Sequence, residues 1–331
     1  MSEYSHTASD AMGLVVYIWQ ESIQLLQLEQ SMLFGLDIGG TKIELSAFDD
    51  TTCVFTRRIP TPTESYTAFK DNIKEIIMDA DREAGCRGSV GVGVPGFIES
   101  SSGKASCCNI PCANGQVLQR DLELVLERPV KVENDANCFT LSEVTGGAAN
   151  GFKSVFGVIL GTGCGGGLYL DGKLYTGRNN RAGEWGHTPL PYSVFKLAGN
   201  DFPIITCGCG LKGCLDNYLS GRGLELIYTY KAGDVKKGVD IIQAYRECDY
   251  HAVGAVEIYC ELLASGLGGM VNTIDPEVII LGGGVSNFDE LYELLPPLLS
   301  RYTLKTGQLP KIKKAVFGDS GGTRGAAMLN A

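Results

Sequence analysis

The segment with the clearest chemical character is 131–137, which places one carboxylate, Asp135, between two carboxamides directly after a short apolar run. A carboxylate in such a position can accept a proton from a hydroxyl group that attacks a phosphate. An aspartate between a strand and a helix is also a common helix N-cap. The assignment of Asp135 as a general base therefore depends on finding, elsewhere in the chain, a site for the phosphate and a site for the molecule that carries the hydroxyl group.

Two glycine turns, each between short β-prone runs, predict the phosphate site. Backbone N–H groups can approach an anion closely where no Cβ intervenes, and a neighbouring carboxylate can hold a hydrated divalent metal. A plain hairpin turn with an exposed lysine is the alternative for the first of them. The residues concerned are Asp37, Gly39, Gly40, Thr41 and Lys42 in the first turn and Gly161, Thr162, Gly163, Gly165 and Gly166 in the second.

The second turn repeats the strand, glycine turn and strand of the first at a distance of about 120 residues, which predicts two similar domains that face each other. Apolar periodicity gives the remaining elements. Strands are predicted at 32–38, 43–48, 53–59, 89–94, 130–132, 154–160, 168–170, 278–281 and 312–317, and helices at 65–83, 117–126, 136–144, 215–230 and 255–274.

A metal signature follows in the second half of the chain, where His187 precedes Cys207, Cys209 and Cys214 with the spacing His-x19-Cys-x-Cys-x4-Cys. Three thiolates and one imidazole suit a closed tetrahedral zinc site, although three reduced cysteines in a loop are the alternative. A metal that holds His187 would also fix Glu184, three residues earlier. Four protein ligands leave no open position, so the predicted zinc is structural.

The loop 95–115 is rich in Gly, Ser, Cys and Asn and is long for a simple connection, which is typical of a binding loop. Asn109 is its most useful polar side chain for contacting a ligand. A surface insertion without a function is the alternative for this segment. Its cysteines, at positions 107, 108 and 112, are interpreted as small buried residues.

Composition limits the classes of function that remain. The 331 residues, of which 44% are hydrophobic, are enough for two cores. A net charge of -10 disfavours nucleic acid or an acidic membrane as a partner. Twelve cysteines without a convincing signal peptide favour reduced thiols and a cytoplasmic protein. Residues 1–31 hold an apolar patch that is too short to span a bilayer, and we expect a poorly ordered extension, with a partner-binding helix as the alternative.

Six motifs in order identify a family resemblance. The chain resembles the ROK family (repressors, open reading frames and sugar kinases) over residues 32–331. The motifs are Asp37-x-Gly-Gly-Thr-Lys42, Glu133-Asn-Asp-Ala-Asn137, Leu160-Gly-Thr-Gly-x-Gly-Gly-Gly167, Gly183-Glu-x-Gly-His187, Cys207-Gly-Cys-Gly-x-x-Gly-Cys214 and Leu281-Gly-Gly-Gly284.

The resemblance implies an α/β protein with the actin-like ATPase (hexokinase and ribonuclease H-like) fold, in which two related α/β domains surround a cleft. It implies a first domain at 32–140, completed by a C-terminal helix at 318–331. The second domain then spans 141–317 and contains the zinc-binding segment 187–214.

The resemblance also implies the roles of the motif residues. Asp135 becomes the general base, and the third glycine turn joins the nucleotide site through Gly282, Gly283 and Gly284. The family usually has glutamate as a sugar ligand where this chain has Asp216, which is one methylene shorter. The implied sugar contacts are Asn109, Asn134, Asp135, Glu184, His187 and Asp216.

Within the family the chain is most similar to members that act on N-acetyl-D-glucosamine. The implied reaction moves the γ-phosphoryl group of ATP, with Mg²⁺, to the 6-hydroxyl of that sugar, and homodimers are usual in the family. The small residues at 111–113 are compatible with an acetamido group, and glucose, fructose and N-acetylmannosamine stay open as substrates. This similarity rests on Asn109-Ile-Pro111, Ala136-Asn-Cys-Phe-x-Leu-Ser142 and Asn217-Tyr-Leu-Ser-Gly-Arg-Gly223.

A sugar-sensing repressor and an actin-like ATPase are the two alternatives to a kinase. A sugar-sensing repressor of this family would carry an N-terminal helix-turn-helix domain, whereas only 31 residues, without Arg or Lys, precede the start of the family resemblance at Met32. An actin-like chaperone or filament would share the glycine turns but would have no use for Glu184, His187 and a zinc site.

Overall fold

The computed structural model describes residues 32–107 and 109–331, and only the backbone of Asp319. The predictions made for residues 1–31 and for Cys108 lie outside these residues. Cys107 is buried and Cys112 is partly buried, in agreement with their interpretation as packing residues.

Five strands of the first half form one sheet in the order β3-β2-β1-β4-β7. Strands β1, β2 and β3 form an antiparallel meander, and β4 and β7 add to β1 in parallel. Leu36 pairs with Leu45 on one side and Val92 on the other, so the centre of the sheet is apolar. The strands are β1 (Leu33–Ile38), β2 (Lys42–Asp49), β3 (Thr52–Pro60), β4 (Ser89–Val94) and β7 (Val130–Asn134).

Two helices complete the core of the first half. Helix α1 (Tyr66–Ala84) begins at the N-cap Ser65, whose side chain accepts a hydrogen bond from the N–H of Ala68. Its buried face carries apolar residues with helical spacing, which explains why this segment folds as an amphipathic helix. Helix α2 (Leu118–Leu126) buries Leu118, Leu122 and Leu126 in the same core.

The predicted loop 95–115 contains a small hairpin. Strand β5 (Phe97–Ile98) pairs with β6 (Ala105–Ser106), and the N–H of Ala105 donates to the carbonyl of Gln116. These backbone hydrogen bonds give the segment a fixed course that its composition did not reveal.

Five strands of the second half form a sheet in the order β10-β9-β8-β11-β12. The first three are antiparallel and the last three are parallel, as in the first sheet. This shared topology confirms the predicted repeat of one unit. The strands are β8 (Ser154–Leu160), β9 (Cys164–Leu170), β10 (Lys173–Leu174), β11 (Val278–Gly282) and β12 (Lys311–Lys314).

Helix α8 forms the centre of the second core. By length and composition it could cross a membrane, but 67% of its apolar window is buried against other helices, as in the core helix of a globular fold. The helices of this half are α4 (Tyr192–Ala198), α5 (Asp216–Leu219), α6 (Gly221–Ala232), α7 (Gly238–Arg246), α8 (Tyr250–Ile274) and α9 (Leu291–Tyr302).

The single helix predicted at 215–230 is wrong, because the structure divides it into α5 and α6. Ser220 has an extended backbone, with φ -86° and ψ 173°, and its side chain accepts a hydrogen bond from the N–H of Gly223. Serine therefore acts as the N-cap of a new helix at this position.

Helices α3 (Asp135–Val144) and α10 (Gly321–Met328) connect the two sheets. Helix α3 continues from β7 and packs against β8, β9 and α10, whereas α10 packs against β1 and β4. The predicted boundary between residues 140 and 141 falls inside α3, and the division into domains stays a prediction.

The strand predicted at 312–317 ends earlier, at Lys314. The N–H groups of Val316 and Phe317 donate to the buried carboxylate of Glu143 on α3, at 3.0–3.1 Å, instead of to a neighbouring strand. Glu143 also accepts from the N–H of Ala148 at 2.8 Å. One side chain thereby holds both segments of the chain that pass between the sheets.

Candidate active site and metal cluster

Asp135 occupies the first position of α3, at the end of β7, and it is not the N-cap. Asn134 has that role, because its Oδ1 accepts hydrogen bonds from the N–H groups of Ala136 at 2.9 Å and Asn137 at 3.1 Å. The capping interpretation of Asp135 is therefore wrong. Its carboxylate is available for chemistry.

Asn134 also positions the carboxylate that follows it. Its Nδ2 donates to the carbonyl of Gly96 at 2.8 Å and to Asp135 Oδ1 at 3.1 Å. Asp135 Oδ1 accepts a second hydrogen bond from the N–H of Ala136 at 2.9 Å. Both donors and both lone pairs of the Asn134 amide are thus engaged within the protein.

The surroundings of Asp135 disfavour its charged form. Loss of hydration raises the pKa of Asp135 to about 7, and the negative charges of Asp37 and Glu184 act in the same direction, against the N–H of Ala136. A carboxylate with a pKa near neutrality is well matched to general base catalysis. The electrostatic interaction also shows that Asp37 and Glu184, which are far apart in sequence, both lie near Asp135 in the fold.

Asp37 lies at the end of β1, against the start of α10. A Cβ on Gly322 would lie 2.8 Å from Asp37 Oδ2, so only glycine leaves room for this carboxylate. Burial raises the pKa of Asp37 to about 6, and Glu44 adds to the shift while Lys42 opposes it. Two neighbouring carboxylates with raised pKa values offer the hard oxygen ligands that Mg²⁺ prefers.

The first glycine turn is closed by hydrogen bonds within and beyond it. The N–H of Gly39 donates to the carbonyl of Lys42 at 2.9 Å, and the hydroxyl of Thr61 donates to the carbonyl of Gly39 at 2.7 Å. Lys42 Nζ lies 3.3 Å from the buried carboxylate of Glu44, so its charge is engaged within the protein. Thr41 is exposed.

The structure brings the loop of Asn109 to this first turn. A Cβ on Gly40 would lie 2.6 Å from the carbonyl oxygen of Asn109, and the Asn109 side chain is exposed. The predicted binding loop and the predicted phosphate turn are thus neighbours.

The second and third glycine turns also meet. Gly283 has a φ of +79°, and a Cβ there would lie 2.6 Å from the carbonyl oxygen of Leu160 and 2.8 Å from the nitrogen of Gly161. Gly282 ends β11, and Gly284 begins a short 3-10 helix, Gly284–Asn287. Close contact between the two turns requires glycine at position 283.

The four glycines of the second motif that are predicted to contact the nucleotide divide into two groups. Gly161, Thr162 and Gly163 form the turn, whereas Gly165 and Gly166 lie inside β9. Trp185 donates from Nε1 to the carbonyl of Gly165 at 3.0 Å and packs closely on Gly166. The structure therefore gives the last two glycines a packing role, and their contact with a nucleotide stays a prediction.

Glu184 precedes the short 3-10 helix Trp185–His187, and His187 ends it, next to the cysteines. His187 Nε2 lies 3.7 Å from Glu184 Oε2, and its Nδ1 lies 3.7 Å from Cys207 Sγ. One imidazole therefore faces the carboxylate with one nitrogen and the thiols with the other.

The cluster of His187, Cys207, Cys209 and Cys214 has the dimensions of a tetrahedral metal site. The four candidate ligand atoms all lie within 4.8 Å of one another, and Cys209 Sγ lies 3.7 Å from Cys214 Sγ. Zn–S bonds of about 2.3 Å place two sulfur ligands about 3.8 Å apart in a tetrahedron. The residues fit zinc, and they form a closed set of four.

Asp216 lies at the start of α5, against the second glycine turn. Its Oδ1 accepts a hydrogen bond from the N–H of Cys164 at 2.6 Å. Burial raises the pKa of Glu184, His187 opposes this shift and the charge of Asp216 adds to it. Asp37, Asp135, Glu184 and Asp216 are therefore linked in one acidic series, and the sugar contact predicted for Asp216 stays a prediction.

Three residues that support the site were not predicted. Gly322 accommodates Asp37, Thr61 closes the first turn, and Glu143 holds the connections between the sheets. The glycine pair at the start of the last helix was a usable signal for Gly322, because paired glycines favour close backbone contact. Thr61 and Glu143 act through distant backbone groups, for which the sequence has no local signal.

The sequence matches the family model described as "ROK family" over residues 33–331. An N-acetyl-D-glucosamine kinase of Aliivibrio fischeri is 48% identical over 300 residues, which are 90% of this chain and 99% of that protein. The N-acetyl-D-glucosamine kinase of Vibrio cholerae is 47% identical with the same coverage.

Solved structures show the same fold. A ROK hexokinase from Thermus thermophilus superposes with a TM-score of 0.79 at 34% identity and covers 90% of this chain and 97% of its own. A ROK family glucokinase from Streptomyces griseus, in complex with glucose and AMPPNP, has a TM-score of 0.73 at 27% identity, over 90% and 99% of the two chains. The predicted α/β, actin-like ATPase fold is confirmed.

Proposed function

The chain belongs to the ROK family, and from this premise we propose that it transfers the γ-phosphoryl group of ATP to the 6-hydroxyl of N-acetyl-D-glucosamine. Relatives named for this activity share nearly half of its residues over 90% of the chain. The observation that carries the proposal is the position of Asp135 at the start of α3, where Asn134 holds its Oδ1 and where burial and the charges of Asp37 and Glu184 raise its pKa to about 7.

Asp135 acts as the general base. As the 6-hydroxyl oxygen forms its bond to the γ-phosphorus, the bond from phosphorus to the bridging oxygen of ADP breaks, and the hydroxyl proton passes to Asp135. Asn134 and Ala136 hold Oδ1. Among the described residues no hydrogen bond engages Oδ2, so Oδ2 is the oxygen that accepts the proton.

The glycine turns hold the phosphate chain of ATP. The backbone of 39–42, 161–163 and 282–284 presents N–H groups to the phosphates. Asp37 would hold Mg²⁺ through the hydration shell of the ion, and a bound ion would supply positive charge to the phosphates. Lys42 is paired with Glu44, so it contributes to phosphate binding by turning away from that partner.

The sugar lies against the segments that carry Asn109, Glu184, His187 and Asp216. Glu184 is the principal acceptor for sugar hydroxyls, since His187 fixes it from one side. Asn134 serves the sugar by orienting Asp135, because its own amide is fully engaged. Asp216 approaches a hydroxyl with the oxygen that the N–H of Cys164 leaves available.

Zinc is a structural ion in this proposal. His187 binds it through Nδ1, together with Cys207, Cys209 and Cys214, and keeps Nε2 for Glu184. The bound ion stiffens the segment 187–214, and with four protein ligands it takes no part in the chemistry.

The remaining features of the proposal concern the whole protein. We place it in the cytoplasm as a homodimer, with small molecules and not nucleic acid or membranes as partners. Residues 32–140 and 318–331 form one domain around the cleft, and residues 141–317 form the other. An acidic chain with a net charge of -10 agrees with this set of partners.

The experiment that tests the proposal is ADP release from ATP and Mg²⁺ by the purified protein, with and without N-acetyl-D-glucosamine, followed by NMR of the product. The expected product is N-acetyl-D-glucosamine 6-phosphate, formed in equal amount to ADP. ATP consumption that needs no sugar would instead support an actin-like ATPase, and binding to promoter DNA in a gel shift would support a repressor.

A further inference from the structure

A shallow depression of about 260 Å³ lies beside the second glycine turn. Arg222 lines this depression and has no role in the mechanism above. One wall carries Thr162 of the turn, and the other is formed by α5, α6 and the segment that joins them. Its lining residues are Thr162, Ile205, Asp216, Asn217, Ser220, Arg222 and Leu226.

Arg222 is the one cation of this lining. The residue is exposed, and within the described part of the chain its guanidinium makes no salt bridge and no hydrogen bond. Two other arginines of the second half have a carboxylate partner, Arg246 in Glu290 and Arg301 in Glu261. An arginine without a partner in an acidic protein is available for an anionic ligand.

The backbone fixes this arginine next to the turn. The N–H of Gly221 donates to the carbonyl of Gly161 at 2.9 Å, so the start of α6 is tied to the second glycine turn directly before Arg222. Asp216 is the acidic residue of the lining, and its Oδ1 is held by the N–H of Cys164. The cation therefore remains uncompensated beside a turn that is built to hold phosphate.

We infer that Arg222 binds the phosphate chain of the nucleotide from the α6 side, as a positioning residue that completes the second glycine turn. Arginine suits this task because its planar guanidinium can donate two parallel hydrogen bonds to phosphate oxygens. Thr162 and Ser220 supply hydroxyl groups on the two sides of the same depression. This inference rests on the proposed function only in taking the ligand to be ATP or ADP.

The test compares the full-length variants Arg222→Gln and Arg222→Lys with Arg120→Gln. Arg120 is exposed on α2, outside the candidate site, and within the described residues it has no hydrogen bond or salt bridge, so it is a matched control. Calorimetry with ADP and with adenosine, both in the presence of Mg²⁺, measures binding without requiring turnover.

The loss of charged hydrogen bonds to phosphate predicts that Arg222→Gln weakens ADP binding by about 10-fold to 100-fold and leaves adenosine binding within about twofold. The KM for ATP should rise with the Kd for ADP, while the KM for the sugar should stay within about twofold. Arg222→Lys should recover part of the ADP affinity, and Arg120→Gln should match the unsubstituted protein.

Unchanged ADP affinity in Arg222→Gln would overturn the inference, and so would an equal loss for ADP and adenosine, which would place Arg222 on the nucleoside. Failure of the proposed function has a different signature. In that case the unsubstituted protein would bind ADP but would form no phosphorylated sugar.

Discussion

At the scale of the residue, the Asp135 carboxylate can act in catalysis because its neighbour, Asn134, provides the N-cap of the helix. Asn134 caps α3 and holds one carboxylate oxygen of Asp135. The other oxygen can face a substrate, and burial together with the charges of Asp37 and Glu184 raises the pKa of the carboxyl. Positioning of the base and tuning of its pKa are thus carried by different residues.

Replacement of this base defines the first prediction. We expect Asp135→Ala to fold and to bind sugar but to lower kcat by a factor of about 10² to 10⁴, because the variant loses proton transfer and orientation of the hydroxyl. Steady-state kinetics and sugar binding by calorimetry provide the measurement. Asp71→Ala, an exposed position on α1, serves as a control that should not change kcat. Near-normal turnover in Asp135→Ala would contradict the assignment of Asp135 as the general base.

The pH dependence follows from the pKa of the same carboxyl. Only its deprotonated form accepts a proton, so activity is present above the pKa of about 7 and should fall about tenfold per pH unit below it. A pH profile of kcat/KM between pH 5 and 9 tests this. Asp37, with a pKa of about 6, adds a second ionisation on the acidic side. A profile that stays flat down to pH 5 would contradict the raised pKa of Asp135.

Stability should depend on pH in the opposite direction. The pKa of Asp135 is higher in the folded protein, at about 7, than the ordinary value of 3.8. Between these two values the folded state binds more protons than the unfolded chain. The contribution of this group to the free energy of unfolding therefore falls as the pH rises through that window.

At the scale of the element, the metal cluster joins the segment 187–214 to Glu184, which we propose as a sugar ligand. We expect one zinc ion per chain, and Cys209→Ser should lose it and raise the KM for the sugar by about tenfold or more, because His187 no longer fixes Glu184. Elemental analysis and sugar kinetics measure both effects. Cys248→Ser, an exposed free cysteine, should retain the metal. Full zinc content in Cys209→Ser would exclude this residue as a ligand.

At the other end of α3, the buried carboxylate of Glu143 accepts hydrogen bonds from backbone N–H groups of two connecting segments. Glu143→Ala should lower the free energy of unfolding by about 3 kcal/mol or more, because the N–H groups of Ala148, Val316 and Phe317 lose a buried acceptor. Arg324 lies nearby and donates to the carbonyls of Thr51 and Thr145.

Urea denaturation measures this loss of stability. Glu143→Gln, which keeps one acceptor, should be less harmful than Glu143→Ala, and the exposed Glu75→Ala should be close to neutral. Equal stability of Glu143→Ala and the unsubstituted protein would show that the carboxylate does not hold the connections.

The elements that the sequence predicts well are those whose signal is local. Buried strands next to glycine turns and the amphipathic face of α1 agree with the structure. The break at Ser220 was missed because helical periodicity continues across it, although serine next to glycine was a local cue. The early end of β12 was not predictable, because Glu143, far away in sequence, takes the N–H groups that a longer strand would use.

In the candidate site, too, the features with a local sequence signal were predicted, and those that depend on distant residues were not. The ligand spacing of the cysteines and the position of Asp135 were visible in the sequence and correspond to a compact cluster and an available carboxylate. The packing role of Gly166 was not visible, because it depends on the contact with Trp185 from another segment.

At the scale of the whole molecule, two sheets with the same strand order are connected by the helix that starts at Asp135. Helix α3 begins at this carboxylate and lies against both the second sheet and the last helix of the chain. Relative movement of the two halves would change the distance between the phosphate turns and Asp135. An arrangement of this kind can exclude water as a competing acceptor when it closes on both substrates.

The choice of sugar also depends on the whole molecule, because the proposed sugar ligands come from both halves of the chain. The most direct measurement is kcat/KM for N-acetyl-D-glucosamine, glucose, fructose and N-acetylmannosamine, each assayed by ADP release under the same conditions. We predict that the value for N-acetyl-D-glucosamine exceeds each of the others by about tenfold or more, because the small residues at 111–113 are compatible with an acetamido group. A larger kcat/KM for glucose than for N-acetyl-D-glucosamine would contradict the account.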